Sequence, residues 1–263
     1  MKQPPDLSLF MPTLPQPEKP LMVFLPGLDG TGKLFAPQVP ELSRYFDLRC
    51  VAIAECNRQS WLDLARAAID LIQREQQGRR TYLCGESYGG CLGLQIVSMA
   101  PELTDRLVLV NPASSLRGQF WSRWLLPVAP YAPEWVYRLS GTFAFYLLAD
   151  FERIQGRWQQ LFIETVRPIS QSCVSWRLSM LQSFEVNTDQ LRQVTIPTAL
   201  LASGRDRLLP SYGEARRLQQ FLPHAMTYLL PESGHVCLLE ESVDLASCLK
   251  ALDFLPELSS IKV

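Results

Sequence analysis

The sequence of 263 residues predicts an α/β fold, a mostly parallel sheet flanked by helices. Three observations carry that prediction. Short apolar runs bounded by turn residues recur along the chain, helical patterns lie between most of them, and one run leads into a glycine-flanked serine that opens the next helix.

The runs Leu21–Leu25, Leu48–Ile53, Thr81–Cys84, Leu107–Val110, Thr198–Ala202 and Met226–Leu230 read as strands. Trp61–Gln77 reads as a helix, with Ser60 as its N-cap, Asp63 at the capping-box position and Gly78 beyond its end. A second helix runs from Tyr88 to about Ala100, where Pro101 stops it. A third spans about Tyr212 to Phe221 and a fourth about Glu241 to Phe254. Alternation of this kind argues for a parallel sheet covered on both faces.

From Pro112 to about Asn187 the rhythm breaks into several short helical stretches with no strand spacing. That segment holds 14 of the 26 aromatic residues and five of the six Trp. Its flanks read as sheet strands, so it is expected to be an insertion seated over one end of the sheet. The domain reading is a core of residues 1–111 and 188–263 carrying a helical cap of residues 112–187. An extra pair of packing helices would show the same aromatic density.

Composition removes several classes of function. Apolar residues at 47% and charged residues at 19% allow a sizeable core and rule out wholesale disorder. Lys and Arg total 25 against 26 Asp and Glu, so no basic excess exists for binding nucleic acid as the main task. The two His, His224 and His235, are too few for the common His-rich metal sites, and neither a metal nor another cofactor is expected. Seven Cys without a CxxC read as reduced thiols, and Cys50, Cys84, Cys91, Cys173 and Cys237 read as packing residues. The longest uncharged stretch, Ser87–Pro101, is too short and too polar to span a bilayer. Six prolines in the first twenty residues argue against a signal peptide, so a cytoplasmic location is expected. Arg outnumbers Lys 20 to 5, and seven Arg fall in the insertion. Two uses stay open for them, contact with a membrane surface and a solvated face, the second being the default.

Gly85-Glu86-Ser87-Tyr88-Gly89 fits G-x-S-x-G between a strand and a helix, the setting of a nucleophile elbow. Ser87 on a tight turn would project its hydroxyl past the strand end. Side chains at Gly85 or Gly89 would collide with strand and helix. A serine hydroxyl needs a base. His235, in a loop just after Met226–Leu230, is better placed than His224, which follows Pro223 at the end of a helix. Asp206, on the loop after Thr198–Ala202, is the expected acid, with pairing to Arg205 or Arg207 as the bland alternative. Glu232 lies too near His235 in sequence to support it from behind, and Asn111, at another acid position, carries no charge. The order Ser87, Asp206, His235 is that of α/β-hydrolases. In the loop after Leu21–Leu25, the Leu28 N–H is the expected partner of the Tyr88 N–H in an oxyanion hole. A phosphate-loop reading of that glycine-rich segment fails because Leu34 follows Lys33. Asp29 is read there as a loop brace, with contact to substrate as the alternative.

The segments LPGLDGTG (25–32), LCGESYGGCLGL (83–94), LVLVNPASS (107–115), SGRDRLLPSYGEARRL (203–218) and SGHVCLLE (233–240) carry a family resemblance. Together they resemble the hydrolase domain of the plant and cyanobacterial esterase/lipase/thioesterase group that includes the phytyl ester synthases. The resemblance implies an α/β-hydrolase fold and a chloroplast or cyanobacterial origin. It also implies acyl chemistry on lipids such as phytol, diacylglycerol or chlorophyll-derived esters, with Ser87, Asp206 and His235 as catalytic residues. The plant members carry a further acyltransferase domain, whereas this sequence ends soon after His235. Hydrolysis of a lipid-like ester or thioester is therefore expected, with acyl transfer to phytol or diacylglycerol as the alternative. A non-catalytic binding module would be marked by loss of a triad residue, and all three are present. Because only the proline-rich residues 1–20 precede the first clear strand, the first two strands of an eight-stranded version are expected to be reduced or missing.

Overall fold

A computed structural model describes residues 6–118 and 147–257. Among these, seven strands form one sheet: β1 (Leu7–Phe10), β2 (Leu21–Leu25), β3 (Asp47–Ile53), β4 (Thr81–Glu86), β5 (Arg106–Val110), β6 (Thr198–Ser203) and β7 (Ala225–Leu230). The order across the sheet is β1-β3-β2-β4-β5-β6-β7, and only β1 runs antiparallel to its neighbour. The six predicted strands are all present, most extended by a residue or two. The proline-rich start corrects the expectation in part, because it supplies one short edge strand, Leu7–Phe10. An edge strand tolerates nearby prolines, which only central strands exclude.

Successive residues of a strand point to opposite faces, and here both faces are covered. Leu21, Val23 and Leu25 of β2 and Leu107 and Leu109 of β5 enter one apolar cluster. Met22 and Phe24, with Val108 and Val110, enter the other. A strand buried on both sides must be apolar throughout, which explains the continuous runs.

Eight α-helices are described: α1 (Val39–Leu42), α2 (Trp61–Gln76), α3 (Tyr88–Met99), α4 (Gly156–Val166), α5 (Gln171–Ser183), α6 (Thr188–Gln193), α7 (Ser211–Gln219) and α8 (Leu245–Ala251). The α2 cap forms as the sequence predicts: Ser60 Oγ donates to Asp63 Oδ2 at 2.7 Å and accepts from Asp63 N at 3.2 Å. Trp61, Leu64, Ala65, Ala68 and Ile72 make its buried stripe. The helix ends at Gln77, itself left-handed with φ 48°, just before Gly78. The last helix is shorter than predicted, starting at Leu245 after the Asp244 cap, because a 3-10 turn over Cys237–Leu239 and the turn after it occupy the preceding chain. The expected cysteine packing holds: Cys50, Cys84, Cys91, Cys173 and Cys237 are buried, as is Cys248, and Cys56 is exposed.

Within the insertion, α4 and α5 lie between β5 and β6. Trp121, Trp124 and Trp135 lie outside the described residues, while Trp158 and Trp176 are half-buried. The Trp61 indole N–H donates to Met180 O at 2.7 Å, fastening α5 to α2.

The sheet order fixes where a ligand can enter. The connection after β2 leads to β3 on one side, and the chain then crosses back to β4 on the other. The carboxyl ends of β2 and β4 therefore flank the switch point, the usual binding crevice of open α/β sheets.

Candidate active site

At that switch point β4 ends in Glu86 and α3 begins at Tyr88, with Ser87 between them at φ 52° and ψ −110°. A left-handed φ is strained for serine, and neighbouring contacts hold it there. Ser87 N donates to Val110 O at 3.0 Å, while Gly90 N and Ala113 N donate to Ser87 O at 3.0 and 3.1 Å. The close approach of strand, helix and loop requires the flanking glycines. A side-chain carbon on Gly89 would overlap the carbonyl of Leu25, and one on Gly85 would overlap the carbonyl of Gly89.

The structure brings Ser87, His235 and Asp206 together from three strand ends. His235 Nε2 lies 2.9 Å from Ser87 Oγ, and His235 Nδ1 lies 2.7 Å from Asp206 Oδ2. A carboxylate only accepts, so Nδ1 carries the proton toward Asp206 and Nε2 is left to accept from the serine hydroxyl. Ser87 and His235 are buried, 9% and 2% exposed, and the side chain of Asp206 is buried with them. Asp206 is itself fixed: Oδ1 accepts from Leu208 N at 2.8 Å and Leu209 N at 2.9 Å, and Oδ2 also accepts from Ser211 Oγ.

Burial works against both charges of this pair, and mutual attraction outweighs it. The Asp206 carboxyl is held below its ordinary value by the charge and hydrogen bond of His235 and by the donors from Ser211 and Leu209. The His235 imidazole is raised by Asp206 and further by Glu86. The alternatives fall elsewhere. Glu232 is half exposed and paired with Arg205, which leaves Asp206 free of that arginine. His224 is exposed at the surface.

The base loop is tied down on several sides. Asn111, left-handed at φ 44° beyond β5, donates from Nδ2 to His235 O at 2.7 Å and Ser203 Oγ at 2.9 Å, and its Oδ1 accepts from Ser203 N at 2.8 Å. The amide at this position thus braces three strand ends. Glu240 Oε1 accepts from Gly234 N at 2.7 Å, and Oε2 pairs with Arg153 Nε of the insertion at 3.1 Å. Val236 N donates to Leu148 O at 3.2 Å.

On the other side of Ser87, residues Gly27–Gly30 form a turn closed by Gly30 N donating to Gly27 O at 3.0 Å. Neither the Leu28 nor the Tyr88 amide donates to a backbone carbonyl among the described residues. Asp29 Oδ1 accepts from Thr31 N at 2.8 Å and from its hydroxyl, the bracing role expected of it. A side-chain carbon on Gly27 would lie 3.6 Å from Asp29 Oδ2 and 3.9 Å from Ser87 Cβ, so both border the space above Gly27. Burial raises the Asp29 carboxyl, against the Thr31 donors and the charge of Arg177. Burial likewise pushes Glu86 up to about 8, with Asp29 adding to the rise and His235 opposing it.

Sequence reasoning missed Glu86, Glu240, Arg153 and Arg177. Glu86 is the variable residue of the elbow motif, and the arginines read as solvated; no local pattern marks them. Among the described residues no cluster of metal-binding side chains occurs, and no helix is long and apolar enough to cross a membrane.

A seven-stranded, mostly parallel sheet with a serine elbow at its switch point defines an α/β-hydrolase. The chain belongs to the serine aminopeptidase S33 family of these enzymes, which it matches over residues 57–242. It is 28% identical over 262 residues to phytyl ester synthase 1, chloroplastic, of Arabidopsis thaliana, covering 90% of this chain and 37% of that protein's length. It is 27% identical to the pimeloyl-[acyl-carrier protein] methyl ester esterase of Nitrosomonas europaea, covering 89% of this chain and 95% of the relative. A solved hydrolase from Pseudomonas aeruginosa shares the fold at a TM-score of 0.73 and 19% identity, covering 94% of this chain and 92% of that one.

Proposed function

We propose that this esterase-type enzyme cleaves carboxylic esters or thioesters with an apolar acyl or alkyl part through an acyl-enzyme. The observation that carries this reading is the unbroken relay from Ser87 Oγ through His235 to Asp206, at 2.9 and 2.7 Å. His235 Nε2 takes the hydroxyl proton as Ser87 Oγ attacks the carbonyl carbon. The oxygen that gains charge is met by the Leu28 and Tyr88 N–H groups, the latter at the N-terminus of α3, where the helix dipole adds to the attraction. His235 then gives the proton to the leaving alcohol or thiol. Asp206 stays ionised and holds the imidazolium. Water repeats the sequence on the acyl-enzyme and releases the acid.

The insertion is read as a cap, to which its described residues 147–187 contribute α4 and α5, and apolar side chains there would favour a long chain at roughly 0.8 kcal/mol per buried CH₂. The substrate is a small lipid-like ester and the setting is cytoplasmic. Similarity to a phytyl ester synthase supports a second reading, in which an alcohol such as phytol or diacylglycerol captures the acyl group. One experiment tests the first reading and separates it from the second. A fluorophosphonate labels the wild-type chain and not Ser87→Ala, and a p-nitrophenyl ester panel with added long-chain alcohol releases free acid. Equal labelling of Ser87→Ala places the nucleophile elsewhere, and ester product in place of acid favours transfer.

A further inference from the structure

Arg177 of α5 is 3% exposed, in a segment whose arginines read as solvated. Burying a guanidinium is costly unless its donors are met. Here they are met by backbone carbonyls. Nη1 donates to Leu28 O at 2.7 Å, and Nη2 donates to Ile53 O at 3.1 Å and Ala54 O at 3.3 Å. The guanidinium thus reaches from the cap into the angle between the Gly27–Gly30 turn and the end of β3. The fit leaves no room: a side-chain carbon on Gly30 would lie 2.6 Å from Nη2 and 2.7 Å from Cζ.

The carbonyl it grips belongs to the central peptide of that turn, between Leu28 and Asp29. The central peptide is the part of a β-turn that rotates when one turn type converts to another. Freed, this peptide could turn its carbonyl toward the space above Gly27, where a negative dipole would oppose a developing oxyanion. Bonded to Arg177, the carbonyl is committed to the cap side.

We propose that Arg177 is a positioning residue for the oxyanion hole: through the Leu28 carbonyl it holds the Gly27–Gly30 turn in the form in which the Leu28 N–H meets the oxyanion. The cap is then a structural part of the reaction centre as well as the wall of the entry. This inference rests on the reading of the Leu28 and Tyr88 amides as oxyanion donors. A misplacement of about 1 Å in such a site lowers turnover by roughly 10²-fold.

The test uses the full chain with Arg177→Met, which keeps the stem and removes the fork, and Arg177→Lys, which keeps the charge but grips fewer carbonyls. Three quantities are read on protein normalised by thermal unfolding: kcat and KM for one p-nitrophenyl ester, and the rate of Ser87 labelling by a fluorophosphonate, whose phosphoryl oxygen occupies the same hole. The expected result is a kcat lower by roughly 10²-fold in Arg177→Met, a KM within about threefold of wild type, labelling slowed in parallel, and an intermediate loss in Arg177→Lys. If Arg177→Met does not fold, Arg177→Lys decides by the same split. A lowered unfolding temperature with unchanged kcat and labelling rate overturns the inference, as does a loss confined to KM. A wild-type chain that is never labelled overturns the nucleophile reading and this inference together, whereas normal labelling in wild type and variants overturns this inference alone.

Discussion

Replacing Glu86 by Gln isolates one buried ionisable group beside the candidate base. Glu86 is 5% exposed. Burial, with Asp29 nearby, raises it from 4.5 to about 8. Glu86 is therefore neutral in the folded protein at pH 7 and charged in the unfolded chain. A raised folded value means that its contribution to stability is complete below about pH 4.5 and is lost as pH climbs to about 8. At about 1.4 kcal/mol per unit the whole interval corresponds to at most about 5 kcal/mol, and relaxation of the surroundings around a buried charge reduces that to about 2–4 kcal/mol. Gln matches the shape of the protonated acid and does not titrate. Glu86→Gln should thus unfold near the wild-type temperature at pH 5 and above it at pH 8.5. For a domain of this size the separation is on the order of 5–10 °C. Circular dichroism melts at unit steps from pH 5 to 9 measure it. Two melting curves that stay parallel across that range would refute the assignment of a buried, neutral Glu86.

Three further outcomes are expected. Asp206→Asn should keep the fold and lower kcat by about 10⁴-fold, since an amide orients the ring without stabilising its charge, and near-normal turnover would assign the role to another group. In the wild type, kcat/KM should rise with pH through an apparent value above 6.5, because the ionised Asp206 keeps His235 protonated longer than free imidazole; a profile flat from pH 5 to 9 would count against His235 as the base. On p-nitrophenyl esters, kcat/KM should climb from acetate to medium chains, and a preference for acetate would leave the aromatic insertion a packing role alone. Deleting residues 120–180 removes Arg153, Arg177 and the Leu148 contact, so turnover should fall for every chain length instead of merely losing its length preference.

The sequence alone determined the sheet strands, the elbow and the order of the three candidate residues. Each rests on local or repeated chemistry: a doubly covered strand must be apolar along its length, and a strand–helix turn of this tightness admits only glycine at Gly85 and Gly89. The edge strand Leu7–Phe10 was hidden because its pairing needs only one partner, the distant β3, and its proline-rich surroundings carry no strand signal. Asn111 could be excluded as an acid from its chemistry, but its role as a brace depends on partners 92 and 124 residues away. Arg177 meets the Leu28 carbonyl across 149 residues, and nothing in the helical spacing of α5 separates it from a solvated arginine. Glu86 sits inside the motif, yet its protonation is set by burial and by Asp29 from another strand end. Short-range propensity and periodicity write the elements and the nucleophile turn into the chain; which charges become buried, and which carbonyls they meet, is decided only when the sheet order brings those strand ends together.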